Sequence, residues 1–376
     1  MKRHLLIISV LKCLVLTTQG EGEKQQLTTD GFNFEEYNDT IEDEDQSTPC
    51  SVNVPGFNSM GLMITYIIVF VFSMVGNSVV VYVVCYMKKG RASTDVYLMH
   101  LAMADLLFSF TLPFWAIDVH SGWIFGNFPC KLLSCFQEAS VYSGVFLLAC
   151  ISVDRHFAIV RATRALSSRH LLVKVTCSIV WLVAGMLSLP VAIQKESLHI
   201  EDLGQSICYE NLTGESSHHW RVGIRVLRHT MGFFLPLLIM AVCYGWTLVT
   251  LFHARNQQKQ KAMRVILAVV FAFVLCWLPY NVTVLIDTLI RGGSIEETCD
   301  TRYRVEWMLN VTQLLAFMHC AVNPVLYAFI GQKFRNQLLS ALYKHGLISK
   351  RLQVAYRKSS FSSVGSIRSR HTSTTM

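Results

Sequence analysis

The sequence is poor in charge. Only 15% of its 376 residues are Asp, Glu, Lys or Arg, whereas soluble domains carry about a quarter. None of its 12 cysteines falls in C-x-x-C spacing, which argues against a zinc site. There is no H-E-x-x-H, no G-x-S-x-G and no glycine-rich phosphate loop, so an enzyme is not expected and no cofactor or metal is implied. No internal repeat of the kind that builds transporters is visible. The net charge is +8, but the basic residues lie in short clusters rather than along one amphipathic face, which argues against nucleic acid.

Long apolar runs, by contrast, are abundant. Hydrophobic residues make up 52% of the chain, and they come in blocks rather than short periodic stretches. A hydrocarbon core needs a helix of about 20 residues. Seven blocks qualify: Met60–Met87, Val96–Ile117, Leu132–Val153, Leu172–Ile193, Leu227–Phe252, Ala262–Ile290 and Val305–Ile330. The pattern predicts an all-α membrane protein, a seven-helix bundle over residues 60–330 among membrane lipid, with a short amphipathic helix after the seventh span.

Loop charges predict the orientation. Lys88, Lys89 and Arg91 follow the first block, Arg155, Arg161, Arg164 and Arg169 the third, and Arg255, Lys259, Lys261 and Arg264 the fifth. The alternate loops carry Glu196, Glu201, Asp202, Glu210 and Glu215, or Glu296, Glu297 and Asp300. Positive loops stay inside, so the N-terminus is expected outside and the C-terminus in the cytosol of a multi-pass plasma membrane protein. Residues 21–59 form an acidic outer segment, with eight acids between Asp30 and Asp45 and no Lys or Arg. Residues 331–376 form a cytoplasmic tail with nine Lys or Arg and no acid. The acidic segment is either a solvated tail or an electrostatic lure for a basic ligand. Residues 1–20 have the layout of a signal peptide, although Lys12 interrupts the apolar run. They are too short for an eighth span.

Some residues sit where a bilayer penalises them. Asn77, Asp105 and Asn323 fall inside the first, second and seventh blocks. Pairing of Asp105 with the two asparagines would form a polar switch or interhelical glue. Pro113, Pro190, Pro236, Pro279 and Pro324 each remove a helix donor and favour kinks. Cys50, Cys130, Cys208 and Cys299 lie on the outer, oxidising side. Four cysteines allow three pairings, of which Cys130 with Cys208 and Cys50 with Cys299 are one. N-x-S/T sequons at Asn38 and Asn211 lie in outer segments and are candidate glycosylation sites, whereas those at Asn281 and Asn310 fall in spans.

Five motifs appear in order, one per helix: Gly76-Asn77, Leu101-Ala102-Met103-Ala104-Asp105, Asp154-Arg155-His156, Cys276-Trp277-Leu278-Pro279 and Asn323-Pro324-Val325-Leu326-Tyr327. On these the chain resembles the rhodopsin-type G-protein-coupled receptors over roughly residues 55–345. Thr111-Leu112-Pro113, Trp115, Trp123-Ile124-Phe125-Gly126 and His319-Cys320-Ala321-Val322-Asn323-Pro324 make it similar to chemokine receptors. Ala262-Met263-Arg264-Val265-Ile266, His345-Gly346-Leu347-Ile348-Ser349-Lys350 and the terminal His371-Thr372-Ser373-Thr374-Thr375 bring it nearest to the interleukin-8-type CXC receptors, types 1 and 2.

That resemblance implies a mechanism. A basic CXC chemokine meets the acidic segment, where Tyr37 is a sulfation candidate, and then inserts its own N-terminus into the bundle. The implied contacts there are Trp115, Asp118, Glu138, Tyr142, Arg221, Arg225, Asp287, Arg291 and Gln313. Asn77, Asp105, Asp154, Arg155, Trp277, Pro279, Asn323, Pro324 and Tyr327 would carry the activation switch to an inhibitory-class heterotrimeric G protein, driving neutrophil chemotaxis and calcium mobilisation. Phosphorylation of Ser359, Ser360, Ser362, Ser363, Thr374 and Thr375 would recruit arrestin, and the C-terminal carboxylate suits a PDZ domain. The alternative is an atypical receptor that scavenges ligand without G-protein signalling, against which the intact Asp154-Arg155 pair argues. His156 stands where the family usually has Tyr, and Gln313 where many chemokine receptors have Glu, which weakens one acidic anchor for the ligand.

Overall fold

The computed structural model describes residues 59–86, 93–160, 169–201, 204–211, 217–254, 257–291, 298–330, 332–351 and 354. In chain order these form α1 (Ser59–Tyr86), α2 (Ser93–Ser121), α3 (Asn127–Val160), α4 (Arg169–Gln194), strands β1 (Lys195–Ile200) and β2 (Gln205–Glu210), α5 (Ser217–His229), a π-helical turn (Thr230–Phe234), α6 (Leu235–Ala254), α7 (Gln257–Arg291), α8 (Cys299–Phe317), α9 (His319–Ile330) and α10 (Gln332–Lys344). Among the described residues, seven helical spans are long and apolar enough to cross a membrane. The fifth runs through α5, the π turn and α6, and the seventh through α8 and α9. A helix closes every backbone hydrogen bond within the segment, which is what hydrocarbon demands.

Side chains are distributed inside out relative to a water-soluble bundle. Phe72, Val75, Leu182, Met186, Trp246 and Phe271 are large, apolar and exposed, as a lipid-facing surface requires. Polar residues within the spans, Ser73, Asn77, Asp105, Ser109 and Asn323, are buried. The apolar interior forms one continuous cluster from Tyr66 and Phe108 through Leu148 and Phe233 to Trp277 and Tyr327.

The helices are longer than their apolar blocks. The fifth span begins at Trp220 rather than Leu227 and the seventh at Cys299 rather than Val305. In both, the added turns carry cations that turn inward or pair along the helix, such as Arg304 with Asp300 at 2.9 Å. The hairpin was not visible in the sequence. β1 pairs antiparallel with β2, from Lys195 opposite Glu210 to Ile200 opposite Gln205. A disulfide joins Cys208 on β2 to Cys130 on α3. Between α2 and α3, Trp123 donates its backbone N–H to Ser206 O at 2.7 Å. Gly122 makes that approach feasible: its φ is +77°, and a Cβ there would lie 2.9 Å from Ser206 O.

Cys299 is disulfide-bonded, while Cys50, Tyr37, Asn38 and the tail sites Ser359, Ser360, Ser362, Ser363, Thr374 and Thr375 lie outside the described residues. Helix α10 follows the seventh span directly. Phe334 packs its ring 6.2 Å from Tyr327, and just beyond the helix the Tyr82 hydroxyl bonds His345 Nε2 at 2.7 Å.

Candidate functional site

The hairpin end of the bundle holds the sequence-predicted ligand contacts that fall among the described residues, and three of them form one cluster. Asp287 on α7 is buried. It accepts from Arg225 Nη1 at 2.7 Å and from Arg291 Nε at 3.0 Å. Arg302 on α8 approaches at 3.4 Å and also reaches Glu306 at 3.5 Å. Residues Arg225 and Arg291 come from different spans, so Asp287 fastens the fifth span to the sixth. Arg221, four residues before Arg225, is half-buried.

A second ion pair lies deeper. Glu138 on α3 is 5% exposed and accepts from Arg228 Nη2 at 2.5 Å. The Arg228 guanidinium sits 6.0 Å from the Tyr280 ring centre. Tyr142, one turn along α3 from Glu138, is buried and limits the approach of the π turn: a Cβ at Gly232 would lie 3.1 Å from its Cε1. Lys195, at the head of β1, faces Glu210, Glu138 and Asp118. Burial pushes its ammonium below the ordinary value, Arg228 pushes the same way, and the three acids oppose both.

Trp115 stacks near Trp123 with ring centres 5.3 Å apart, under the turn that the hairpin covers. Its indole N–H is buried without a partner. Asp118 and Gln313 are half-buried, and Gln313 lies beside the Tyr66 hydroxyl. Arg228, Arg302, Lys195 and Tyr280 were missed by sequence reasoning. A signal existed for Arg228: it follows Arg225 by three residues, on the same helix face.

The half of the bundle away from the hairpin contains the polar relay. Asn323 Nδ2 donates to Asp105 Oδ2 at 2.8 Å, and His319 Nε2 lies 3.6 Å from Oδ1. Asn77 does not reach Asp105, contrary to the expected pairing. Its Nδ2 donates to Cys320 O at 2.9 Å and to Ser73 O at 3.0 Å. Pro324 explains this. It has no N–H, so the carbonyl four residues earlier, that of Cys320, loses its helical partner. Asn77 supplies the donor. Gly76 lets α1 come close enough, since a Cβ there would lie 2.8 Å from Pro324 Cβ and Cγ.

Trp277 extends this region toward the hairpin end. Its ring lies 5.2 Å from His319 and 6.1 Å from Phe273, and its carbonyl accepts from Asn281 Nδ2 at 2.9 Å. Pro279 lies two residues on, within α7. At the end opposite the hairpin Arg155 Nη2 donates to Asp154 Oδ2 at 2.5 Å. His156 Nδ1 stands 3.4 Å from Thr247 Oγ1. Tyr327 is buried. Among the described residues no group of His, Cys, Asp and Glu could hold a metal ion. Asn211 donates its side-chain amide to the Glu196 carboxylate.

Seven apolar spans around a polar relay, closed at one end by a disulfide-tethered hairpin, define a seven-transmembrane receptor. A family model described as 7 transmembrane receptor (rhodopsin family) matches residues 76–327. The chain is 48% identical over 321 residues to the C-X-C chemokine receptor type 1 of Homo sapiens, covering 85% of this chain and 91% of that one. It is 47% identical over 321 residues to the type 1 receptor of Pongo pygmaeus, with the same coverage. To the C-X-C chemokine receptor type 2 of Homo sapiens it is 48% identical over 330 residues, 88% and 90% of the two chains. The chain belongs to the rhodopsin family of seven-transmembrane receptors and, within it, to the C-X-C chemokine receptors. It is therefore a multi-pass membrane receptor and not an enzyme.

Proposed function

We infer that this receptor binds a basic CXC chemokine of the interleukin-8 type outside and activates an inhibitory-class heterotrimeric G protein inside, driving neutrophil chemotaxis and calcium mobilisation. The observation that carries this reading is the 47–48% identity, across at least 85% of the chain, to type 1 and type 2 receptors alike. The N-terminus lies outside and the C-terminus in the cytosol, as the basic loops favour. The acidic segment, with Tyr37 sulfated and Asn38 and Asn211 glycosylated, raises the encounter rate with a basic ligand. The ligand's N-terminus then enters between Trp115, Asp118, Glu138, Tyr142, Gln313 and the arginines around Asp287. Contacts that favour one bundle arrangement over another shift the receptor population. Arg155 leaves Asp154, Trp277 and Tyr327 move with their spans, and the inner face opens to the G protein. Phosphorylation of Ser359, Ser360, Ser362, Ser363, Thr374 and Thr375 then gives arrestin a negatively charged tail, and the terminal carboxylate offers a strand to a PDZ domain.

A ligand screen tests this. Cells expressing the chain are exposed to CXC chemokines with and without an N-terminal Glu-Leu-Arg sequence, and calcium is recorded. The Glu-Leu-Arg group is expected to give the response. Silence toward that group refutes the interleukin-8-type assignment.

A further inference from the structure

The fifth span meets the sixth through a buried polar pair, His229 and Asn281. Asn281 belongs to a sequon that falls inside a span, and both ends of its side chain are engaged. Its Nδ2 donates to Trp277 O at 2.9 Å, and its Oδ1 lies 2.8 Å from His229 Nδ1. A backbone carbonyl only accepts, so the amide nitrogen must face Trp277. An amide oxygen also only accepts, so His229 Nδ1 must carry a proton and donate. Both residues are 7% exposed. The other ring nitrogen of His229, Nε2, is buried with no hydrogen-bond partner. Among the described residues, the bond to Asn281 is therefore the ring's one polar tie.

Local winding aims the histidine. His229 closes α5, and the π turn Thr230–Phe234 follows at once. Leu235 N–H reaches back five residues to Thr230 O, and Pro236 then has no N–H to continue the ladder. The extra residue of a π turn rotates the helix before it by about 100° against the helix beyond. The turn also packs on both neighbours. Gly232 faces the Tyr142 ring, and Phe233 stacks on Phe273 of α7 with ring centres 6.3 Å apart. Ring contacts of that kind tolerate sliding, whereas a hydrogen bond of 2.8 Å is lost when its partners move apart or tilt. In this same arrangement Asp154 holds Arg155.

We propose that His229 is a positioning residue that latches the fifth span to the sixth at Trp277 and so favours the resting arrangement, the one in which Asp154 keeps Arg155. His229 Nδ1–H holds Asn281, Asn281 holds the Trp277 carbonyl, and movement of the sixth span opens the first of these bonds. This rests on the G-protein reading above and adds the contact that an activating ligand has to release.

Substitution from both sides tests it. His229→Leu removes the donor, and Asn281→Leu removes its acceptor. His229→Asn keeps a donor, because its amide nitrogen stands as many bonds from Cβ as Nδ1 does. Ligand-free G-protein subunit dissociation is measured per receptor, at surface display matched by antibody. It should rise about threefold or more in each Leu variant, the weight of one buried hydrogen bond. It should rise no further in the His229→Leu/Asn281→Leu double variant, and His229→Asn should stay nearer the wild type than either. Unchanged activity in the Leu variants, an Asn variant as active as they are, or additive effects in the double variant overturn the latch. A histidine that merely packs would lower Tm and display and leave activity per receptor alone. A second readout needs no G protein. Cys276 is buried one residue before Trp277, and its alkylation in solubilised receptor, followed by mass spectrometry, should be faster in both Leu variants than in the wild type and His229→Asn. Equal rates in all four overturn the latch, including where a Leu variant reaches too little surface to signal. A wild type silent toward every CXC chemokine refutes the proposed function instead, and the Cys276 rates still decide the latch.

Discussion

Asn77 and Pro324 complement each other atom for atom. Pro324 removes a donor from the seventh span, and Asn77 returns one from the first, 2.9 Å from Cys320 O. Replacing Asn77 by Ala leaves that carbonyl buried and unpaired, at a cost of about 1–3 kcal/mol. A drop of several degrees in the Tm of detergent-solubilised receptor is the expected outcome. Gly76→Ala meets Pro324 at 2.8 Å, backed by a helix that cannot yield cheaply. It should reduce Tm and surface expression, whereas Gly61→Ala, with nothing within 4 Å, should change neither. The sequence flags Asn77, Asp105 and Asn323 because each is polar inside an apolar run. It cannot give their pairing, since Asn77 answers to a carbonyl freed by a proline 247 positions away in the chain. Arg228 and Arg302 went unread for the opposite reason. Arg228 is the second residue of its apolar block and Arg302 lies just before one, places where a charge looks like loop solubility until a buried acid is found opposite it.

Elements were legible to the extent that hydrocarbon dictates them. All seven spans could be placed from apolar length, because a bilayer admits few other structures. Their ends could not, because inward-facing cations such as Arg225 let a helix continue past its apolar block. The hairpin was illegible because Lys195–Ile200 and Gln205–Glu210 are polar, short and only partly buried. Its position depends on the Cys130–Cys208 bond, which closes a 78-residue separation, worth about 4.5 kcal/mol by loop entropy. Cys208→Ser should therefore free the hairpin, abolish saturable chemokine binding and reduce surface display. Radioligand saturation alongside antibody staining reads both.

At the scale of the whole molecule, the proposal links an acidic outer end to a basic inner end through a bundle with two arrangements. Deleting residues 21–49 should slow chemokine association by about tenfold or more at low ionic strength, with the difference shrinking as salt rises. Stopped-flow or surface-plasmon kinetics would show it. Asp154→Asn removes the acceptor that holds Arg155 at 2.5 Å, and basal G-protein activity should rise. The proposed coupling is of ligand outside to a G protein inside. Its most direct measurement is energy transfer between the subunits of an inhibitory-class G protein in cells expressing this chain, recorded on addition of a Glu-Leu-Arg CXC chemokine. Rapid subunit dissociation that pertussis toxin abolishes is the expected outcome. Normal ligand uptake with no dissociation would contradict it.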